Sequence, residues 1–143
     1  MDNSKKTKRK ILVTQALPYA NAPLHLGHIL EAVQTDIWTR FQNFNGNECL
    51  FFCADDTHGT PVMLKANEMG IKPEELISDV YKDHKSSYEL YGINFANFYS
   101  THSDENRKYS EYIYECAKNN NLISKANIEP VSYTHLTLPT TRL

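Results

Sequence analysis

The unbroken apolar run from Cys49 to Cys53 constrains the fold of this chain more than any other feature. It shows no alternation of apolar and polar side chains, which is typical of a strand covered on both faces in a parallel sheet. Before it, Ile11–Val13 predicts a short buried strand. Between the two, one face of a helix that starts near Ile29 is predicted to be apolar, through Leu30, Val33, Ile37, Phe41 and Phe44. A strand, a helix and a strand in this order predict a βαβ unit with parallel strands.

Predicted strands and helices continue to alternate along the chain. Pro61 predicts the start of a helix that Gly70 ends, and a second helix is predicted from Pro73 to Gly92. A β-prone segment follows at residues 95–101, and a further helix is predicted around residues 107–119. We therefore predict an α/β fold, a Rossmann-type parallel sheet with helices on both faces.

Charge divides the 143 residues into a basic head and an acidic body. Five of residues 5–10 are Lys or Arg, whereas residues 11–143 hold ten Lys and Arg against sixteen Asp and Glu. We expect residues 1–10 to be a disordered terminal arm, and any nucleic-acid contact to use local patches. No apolar window is long enough for a membrane span or a signal peptide, so the sequence predicts no membrane partner and a cytoplasmic location.

Polar residues are concentrated where the two predicted strands end. In an open parallel sheet, ligands bind at these carboxyl ends. After the first strand, His25 and His28 lie at the predicted helix N-terminus, where the dipole favours an anion, and Gly27 allows close approach to the backbone. There is no P-loop signature, so this pattern suits a phosphoryl group undergoing transfer better than a static phosphate site.

The residues alone leave other interpretations open. His25 and His28 could be capping or surface histidines, or they could hold a metal with Asp55, Asp56 and His58, although no HExxH motif or cysteine pair supports zinc. At the second strand end, one aspartate could bind a ligand ammonium while its neighbour points the opposite way and satisfies backbone N–H groups. Either aspartate could equally be a helix cap.

Two longer segments resemble a known family. Residues 16–28 (ALPYANAPLHLGH) and residues 53–66 (CADDTHGTPVMLKA) closely resemble the opening signatures of class I methionyl-tRNA synthetases, and residues 102–107 (HSDENR) resemble a third segment. The tetrad His25–His28 is similar to the HIGH motif that binds ATP in class I enzymes. Ala22 stands where the family commonly has glycine. The likeness runs from about Lys10 to Ile128, which implies the first half of the class I nucleotide-binding domain.

The resemblance implies a substrate set and a role for each matched residue. The substrates would be L-methionine, ATP with Mg²⁺, and tRNA(Met), joined through a methionyl-adenylate. His25 and His28 would be catalytic and would stabilise the phosphate. ATP would be bound by Thr14, His25, Gly27 and His28, and methionine by Ala16, Leu17, Tyr19 and Asp56, with Asp56 pairing with its α-ammonium. No metal ligand is expected in this chain, and zinc is expected only in the parts of the family enzyme that lie beyond these residues.

The chain departs from the family in length and in its last residues. Residues 129–143 do not resemble the family and look like a translated sequencing adapter, so we expect three regions: a head at 1–10, half a catalytic domain at 11–128, and an artefactual tail. The family resemblance thus predicts a fragment of methionine–tRNA ligase that is inactive alone. The alternatives are a small nucleotidyltransferase with an HxGH motif and a non-catalytic module that binds nucleotide or tRNA.

Overall fold

The computed structural model describes residues 7–124. Its elements are, in order, β1 (Lys10–Thr14), α1 (Leu26–Phe44), β2 (Glu48–Asp55), α2 (Thr60–Met69), α3 (Pro73–Leu90), β3 (Asn97–Ser100) and α4 (Asp104–Asn119). The chain divides into two compact units, one ending at Lys108 and the other beginning at Tyr109 within α4. The sheet and the candidate site belong to the first unit.

The three strands form one parallel sheet in the order β1-β2-β3. In the register of this sheet, Val13 lies opposite Phe51, and Cys53 lies opposite Phe98. The α/β class and the βαβ unit predicted from the sequence are confirmed. The carboxyl ends of β1 and β2 therefore lie side by side, as the prediction of a site at this edge requires.

The packed helices of the first unit lie on one face of the sheet. Ile29 of α1 and Tyr88 of α3 share a core with the β2 and β3 side chains Phe51, Cys53 and Phe98. The connections from β1 to β2 and from β2 to β3 run in the same direction across the sheet. Because both are right-handed crossovers, their helices lie on the same side of the sheet.

The other face of the sheet is open in residues 7–108. Leu12 is 71% exposed and Leu50 is 45% exposed. Burial along β2 consequently alternates, with Phe51, Cys53 and Asp55 buried and the residues between them more exposed. The prediction that β2 is covered on both faces is wrong for this part of the chain.

The buried face of α1 is also different from the predicted one. The buried residues are Ile29, Ala32, Asp36 and Thr39. The predicted apolar face is instead largely exposed, because Leu30, Ile37 and Phe41 are each about 60% exposed and Phe44 is 90% exposed. Polar side chains suit the inner face here, since the Asp36 carboxylate accepts a hydrogen bond from the Asn94 backbone N–H (3.1 Å).

Several boundaries differ by a few residues from the predicted ones. β1 begins at Lys10, inside the predicted head, and α1 begins at Leu26 rather than near Ile29. The predicted ends of α2 and α3 are confirmed, because Gly70 and Gly92 have φ of 68° and 67°, values that favour glycine. Residues 1–6 of the predicted head and the predicted tail at 129–143 lie outside the described residues. No helix within residues 7–124 is long and apolar enough to cross a membrane.

Candidate active site

The loop after β1 is fastened to the end of β2 by a short stretch of parallel pairing. The Asp56 N–H donates to the Pro18 carbonyl (2.8 Å), and the Ala20 N–H donates to the Asp56 carbonyl (2.9 Å). Tyr19, between these two loop residues, forms an isolated bridge with Asp56. The pairing brings the first predicted signature against the second, so Tyr19 and Asp56 share one edge of the sheet.

His25 and His28 close the N-terminus of α1 as a reciprocal pair. His25 is the N-cap, and its Nδ1 accepts a hydrogen bond from the Gly27 N–H (3.1 Å). The Nδ1 of His28 accepts from the His25 N–H (3.4 Å), which completes a capping box. The two imidazole rings stack with centroids 3.7 Å apart and planes 19° apart. The capping alternative therefore describes their structural role, and it also fixes both rings in one orientation.

The hydrogen-bond pattern sets which ring nitrogen carries the proton. Because each Nδ1 accepts a backbone N–H, the neutral form of each ring carries its proton on Nε2. The pKa of His28 is lowered by partial burial and, to a smaller extent, by the positive charges of His25 and His84. The lowered pKa favours the neutral form of His28, which carries its proton on Nε2.

The first amides of α1 are already used in the cap. The Gly27 N–H is donated to the His25 ring, and the His28 N–H is donated to the His25 carbonyl (3.0 Å). These two amides are therefore bonded within the protein, and the predicted binding of an anion at this helix end stays a prediction.

Gly27 makes room for the His25 ring. A Cβ at position 27 would lie 2.8 Å from His25 Cε1 and 3.0 Å from His25 Nδ1, which is too close for a packed side chain. The sequence predicted that Gly27 provides space for a ligand. The structure shows that it provides space for the His25 cap, and the space for a ligand stays a prediction.

Tyr19 is held by the segment that follows β2. Its hydroxyl donates to the His58 carbonyl (2.6 Å). The next residue, Gly59, has φ of 116°, and a Cβ there would overlap the Tyr19 hydroxyl. Only glycine fits both the backbone conformation and the space at this position.

The two neighbouring aspartates have different environments. Asp55 is fully buried and its Oδ1 lies 2.7 Å from the Nδ1 of His84. Asp56 is partly exposed, and its carboxylate forms no hydrogen bond within residues 7–124. The prediction that one aspartate is used structurally is supported, but Asp55 bonds to a histidine and not to the backbone N–H groups that were predicted.

His84, a buried residue of α3, is a functional candidate that the sequence analysis did not single out. Both of its nitrogens have partners: Nδ1 contacts Asp55, and Nε2 lies 2.8 Å from the Ala22 carbonyl. A histidine at a buried helical position must find polar partners, and this requirement was the available signal.

The remaining predicted residues lie along the loop that joins β1 to α1. Thr14, the last residue of β1, is exposed. The Ala16 N–H donates to Glu31 of α1 (2.8 Å), and Leu17 is 41% exposed. Leu17 is thus an apolar side chain open to a ligand beside Tyr19.

The metal alternative lacks a ligand set among the described residues. Within residues 7–124, no three His, Cys, Asp or Glu side chains come close enough together to hold an ion. His58, which was considered as a ligand, pairs instead with His102, with Nε2 3.3 Å from Nδ1.

Solved structures share this fold. A Mycobacterium tuberculosis methionyl-tRNA synthetase in complex with methionyl-adenylate matches 80% of this chain and 22% of its own, with a TM-score of 0.76 and 24% identity. A ternary complex of Agrobacterium radiobacter K84 agnB2 LeuRS with tRNA and LeuAMS has the same TM-score and identity and matches 84% of this chain and 16% of its own. At this identity, the likeness establishes the fold.

Sequence relatives establish the family. The methionine–tRNA ligases of two Leptospira biflexa serovar Patoc strains are 57% identical over 121 residues, which is 85% of this chain and 18% of each ligase. The chain therefore spans about a fifth of the length of the curated relatives that it matches. The family model described as tRNA synthetases class I (M) matches residues 11–136, which extends past the predicted boundary at 128. The chain thus belongs to the class I (M) family of tRNA synthetases.

Proposed function

We propose that this chain is the part of a methionine–tRNA ligase that binds ATP and methionine for the formation of methionyl-adenylate. One observation carries the proposal: the stacked, capped pair His25 and His28 closes α1 where the loop bonded to the end of β2 enters this helix, and at that strand end the Asp56 carboxylate has no hydrogen bond among residues 7–124. An anion-binding pair and a cation-binding group at one sheet edge suit ATP and the ammonium of an amino acid.

In the proposed first step, a methionine carboxylate oxygen attacks the α-phosphorus of ATP. A new oxygen–phosphorus bond forms, the bond to the bridging oxygen of the β-phosphate breaks, and pyrophosphate leaves with that electron pair. Negative charge increases on the α-phosphate oxygens in the transition state. The Nε2–H groups of His25 and His28 would donate to these oxygens, held in place by the cap, and Thr14 and Gly27 would lie beside the nucleotide.

The methionine would be held by groups on both strand ends. Asp56 would pair with its ammonium, and Ala16, Leu17 and Tyr19 would provide the apolar wall for its side chain. The hydrogen bond from Tyr19 to His58 fixes one side of this wall relative to β2. Mg²⁺ would be bound as part of the nucleotide substrate.

The second step belongs to a longer protein. There, a hydroxyl of the terminal adenosine of tRNA(Met) would attack the methionyl carbonyl and AMP would leave. We expect the 143-residue chain alone to be inactive, and we expect the ligase to act in the cytoplasm.

A chimeric ligase tests the proposal. In the chimera, the 121-residue segment of the Leptospira biflexa ligase that matches this chain is replaced by this chain's residues. Methionine-dependent exchange of pyrophosphate into ATP is the expected result. Loss of exchange in a chimera that folds, or exchange that is independent of methionine, would contradict the proposal.

The alternatives predict other results with the short chain. A nucleotidyltransferase would transfer a nucleotidyl group to a phosphate ester without an amino acid. A binding module would show nucleotide binding in calorimetry, with no turnover even in the chimera.

A further inference from the structure

His84 is a buried polar side chain with partners in two segments of the candidate site. It is completely buried in α3, yet it bonds to two other elements, the end of β2 through Asp55 and the loop before α1 through Ala22. These are the two segments that carry Asp56 and the histidine pair. Neither bond is needed for the α3 backbone, which has its own helical hydrogen bonds.

The partners of His84 determine its protonation. The Ala22 carbonyl can only accept, so Nε2 must carry a proton. Nδ1 lies 2.7 Å from an Asp55 carboxylate oxygen, which also accepts when ionised. With an ionised Asp55, both nitrogens would be donors and the ring would be an imidazolium paired with a carboxylate.

The charges around the ring agree with this assignment. Burial alone lowers the pKa of His84, but the hydrogen bonds to Asp55 and Ala22 outweigh it, with a smaller contribution from Asp83, so that the pKa is raised. Asp55 Oδ2 is buried without a hydrogen-bond partner among residues 7–124, so His84 is its nearest compensating group there. His28 would oppose this charge only when protonated, and its pKa is lowered in part by His84.

We propose that His84 is a positioning residue. As an imidazolium that donates from both ring nitrogens, it holds the Ala22 turn against β2 and keeps Asp55 bonded in the protein interior. Asp56 is then the carboxylate at this strand end that is available to a ligand. This assignment deepens the proposed function, on which the role of Asp56 rests. By holding Ala22, three residues before the N-cap His25, His84 fixes where the stacked pair begins.

Ala22 fits this role with an ordinary backbone. Among the described residues, only Asn121 combines a side chain with a positive φ, so Ala22 does not need the left-handed conformation that glycine would provide. The carbonyl is what His84 uses, and a carbonyl is present with any residue at position 22.

The first experiment uses the 143-residue chain and does not depend on catalysis. Long-range ¹H–¹⁵N NMR spectra of the imidazoles distinguish an imidazolium from either neutral tautomer. The expected result is a doubly protonated His84 ring at pH 7 that remains so well above the midpoint of exposed histidines. A singly protonated His84 ring at pH 7 would overturn the proposal, whatever the chimera does.

The second experiment uses kinetics in the chimera. His84→Gln keeps a polar side chain but cannot donate two charge-assisted bonds in this geometry. We expect about a tenfold or larger rise in the KM for methionine, a lower kcat, and a KM for ATP within about twofold of the unmodified chimera. The matched control is Tyr81→Phe, which removes a hydrogen bond from the same helix to the Phe98 carbonyl (3.0 Å) but does not touch the loop. Equal effects of the two variants, or equal changes in both KM values, would refute a positioning role.

A third variant preserves the test if His84→Gln does not fold. Asp55→Asn keeps an acceptor for Nδ1 but removes the charge, so His84 should lose its second proton within the neutral range. The expected signature is a new fall of kcat/KM between about pH 6 and pH 8, absent from the unmodified chimera. An unchanged pH profile would contradict the proposal. An inactive unmodified chimera would instead count against the proposed function, and the NMR result would still decide the state of His84.

Discussion

The hydroxyl of Tyr19 lies in the space where a side chain on residue 59 would begin. Because Tyr19 also bonds to the His58 carbonyl, the wall of the candidate methionine site and the start of α2 are fixed by one steric relationship. The choice of amino acid at position 59 is therefore as restricted as at a position that touches a ligand.

Gly59→Ala should destabilise the chain more than Gly46→Ala. Both glycines have positive φ, 116° and 84°, so both variants carry backbone strain of about 1–3 kcal/mol. A Cβ at position 46 meets nothing within 4 Å, whereas a Cβ at position 59 displaces Tyr19. Urea unfolding of both variants measures the difference. In a Tyr19→Phe background, Gly59→Ala should cost less, and an unchanged cost would show that the hydroxyl is not the obstacle.

His28→Ala in the chimera should lower kcat for pyrophosphate exchange by about 10²–10³-fold, because it removes a fixed donor to the reacting phosphate. The KM for methionine should change little. His102→Gln, which alters an exposed histidine outside the cap, serves as the control. A similar loss in both variants would indicate a general requirement for histidines near this edge.

Asp56→Asn should raise the KM for methionine at least about tenfold, because a charge-assisted bond to the ammonium becomes a neutral one. The KM for ATP should stay within about twofold. Asp79→Asn, at an exposed ion pair with Lys82 on α3, is the charge-matched control. Initial rates over both substrates separate the two KM values, and a parallel rise in both would indicate that Asp56 is structural.

The stability of the chain should depend on pH through His84 and His28 with opposite signs. The raised pKa of His84 gives a stabilisation that is complete below its ordinary value of 6.5 and is lost as pH rises through the folded-state pKa. The lowered pKa of His28 removes stability as pH falls below 6.5. Urea unfolding of the unmodified chain and of each variant, from pH 5 to 9, measures both effects as differences in the free energy of unfolding. The gap between the unmodified chain and His84→Gln should shrink as pH rises, and the gap to His28→Ala should shrink as pH falls.

The local patterns of the sequence predicted most of the backbone. The apolar run at Cys49–Cys53, the turn glycines and the helix-opening prolines each indicated an element that the structure contains. These signals are local, because they depend on the backbone preferences of a few residues. The strand ends were predicted to meet, and the pairing of Pro18 and Ala20 with Asp56 brings them together.

The sequence could not predict which face of α1 is buried against the rest of the protein. The apolar pattern of α1 indicated the side with Leu30 and Phe44, yet the side with Ala32 and Asp36 is buried. Which side of α1 is buried depends on the direction of the crossovers, and this direction is not encoded in the period of one helix. The polar contacts of His84 were hidden for a similar reason, since its partners lie 29 and 62 residues away.

The Cys53 thiol on the central strand β2 can report when this strand opens, because the thiol is buried in the folded chain. Burial raises the pKa of Cys53 to about 12, and the side chain is only 5% exposed, so the folded chain offers almost no thiolate to an alkylating reagent. Modification at this position must wait until the strand separates from its neighbours. Rates of alkylation at Cys53, followed by mass spectrometry, would therefore measure how often the edge that carries Asp56 opens, with no substitution in the chain.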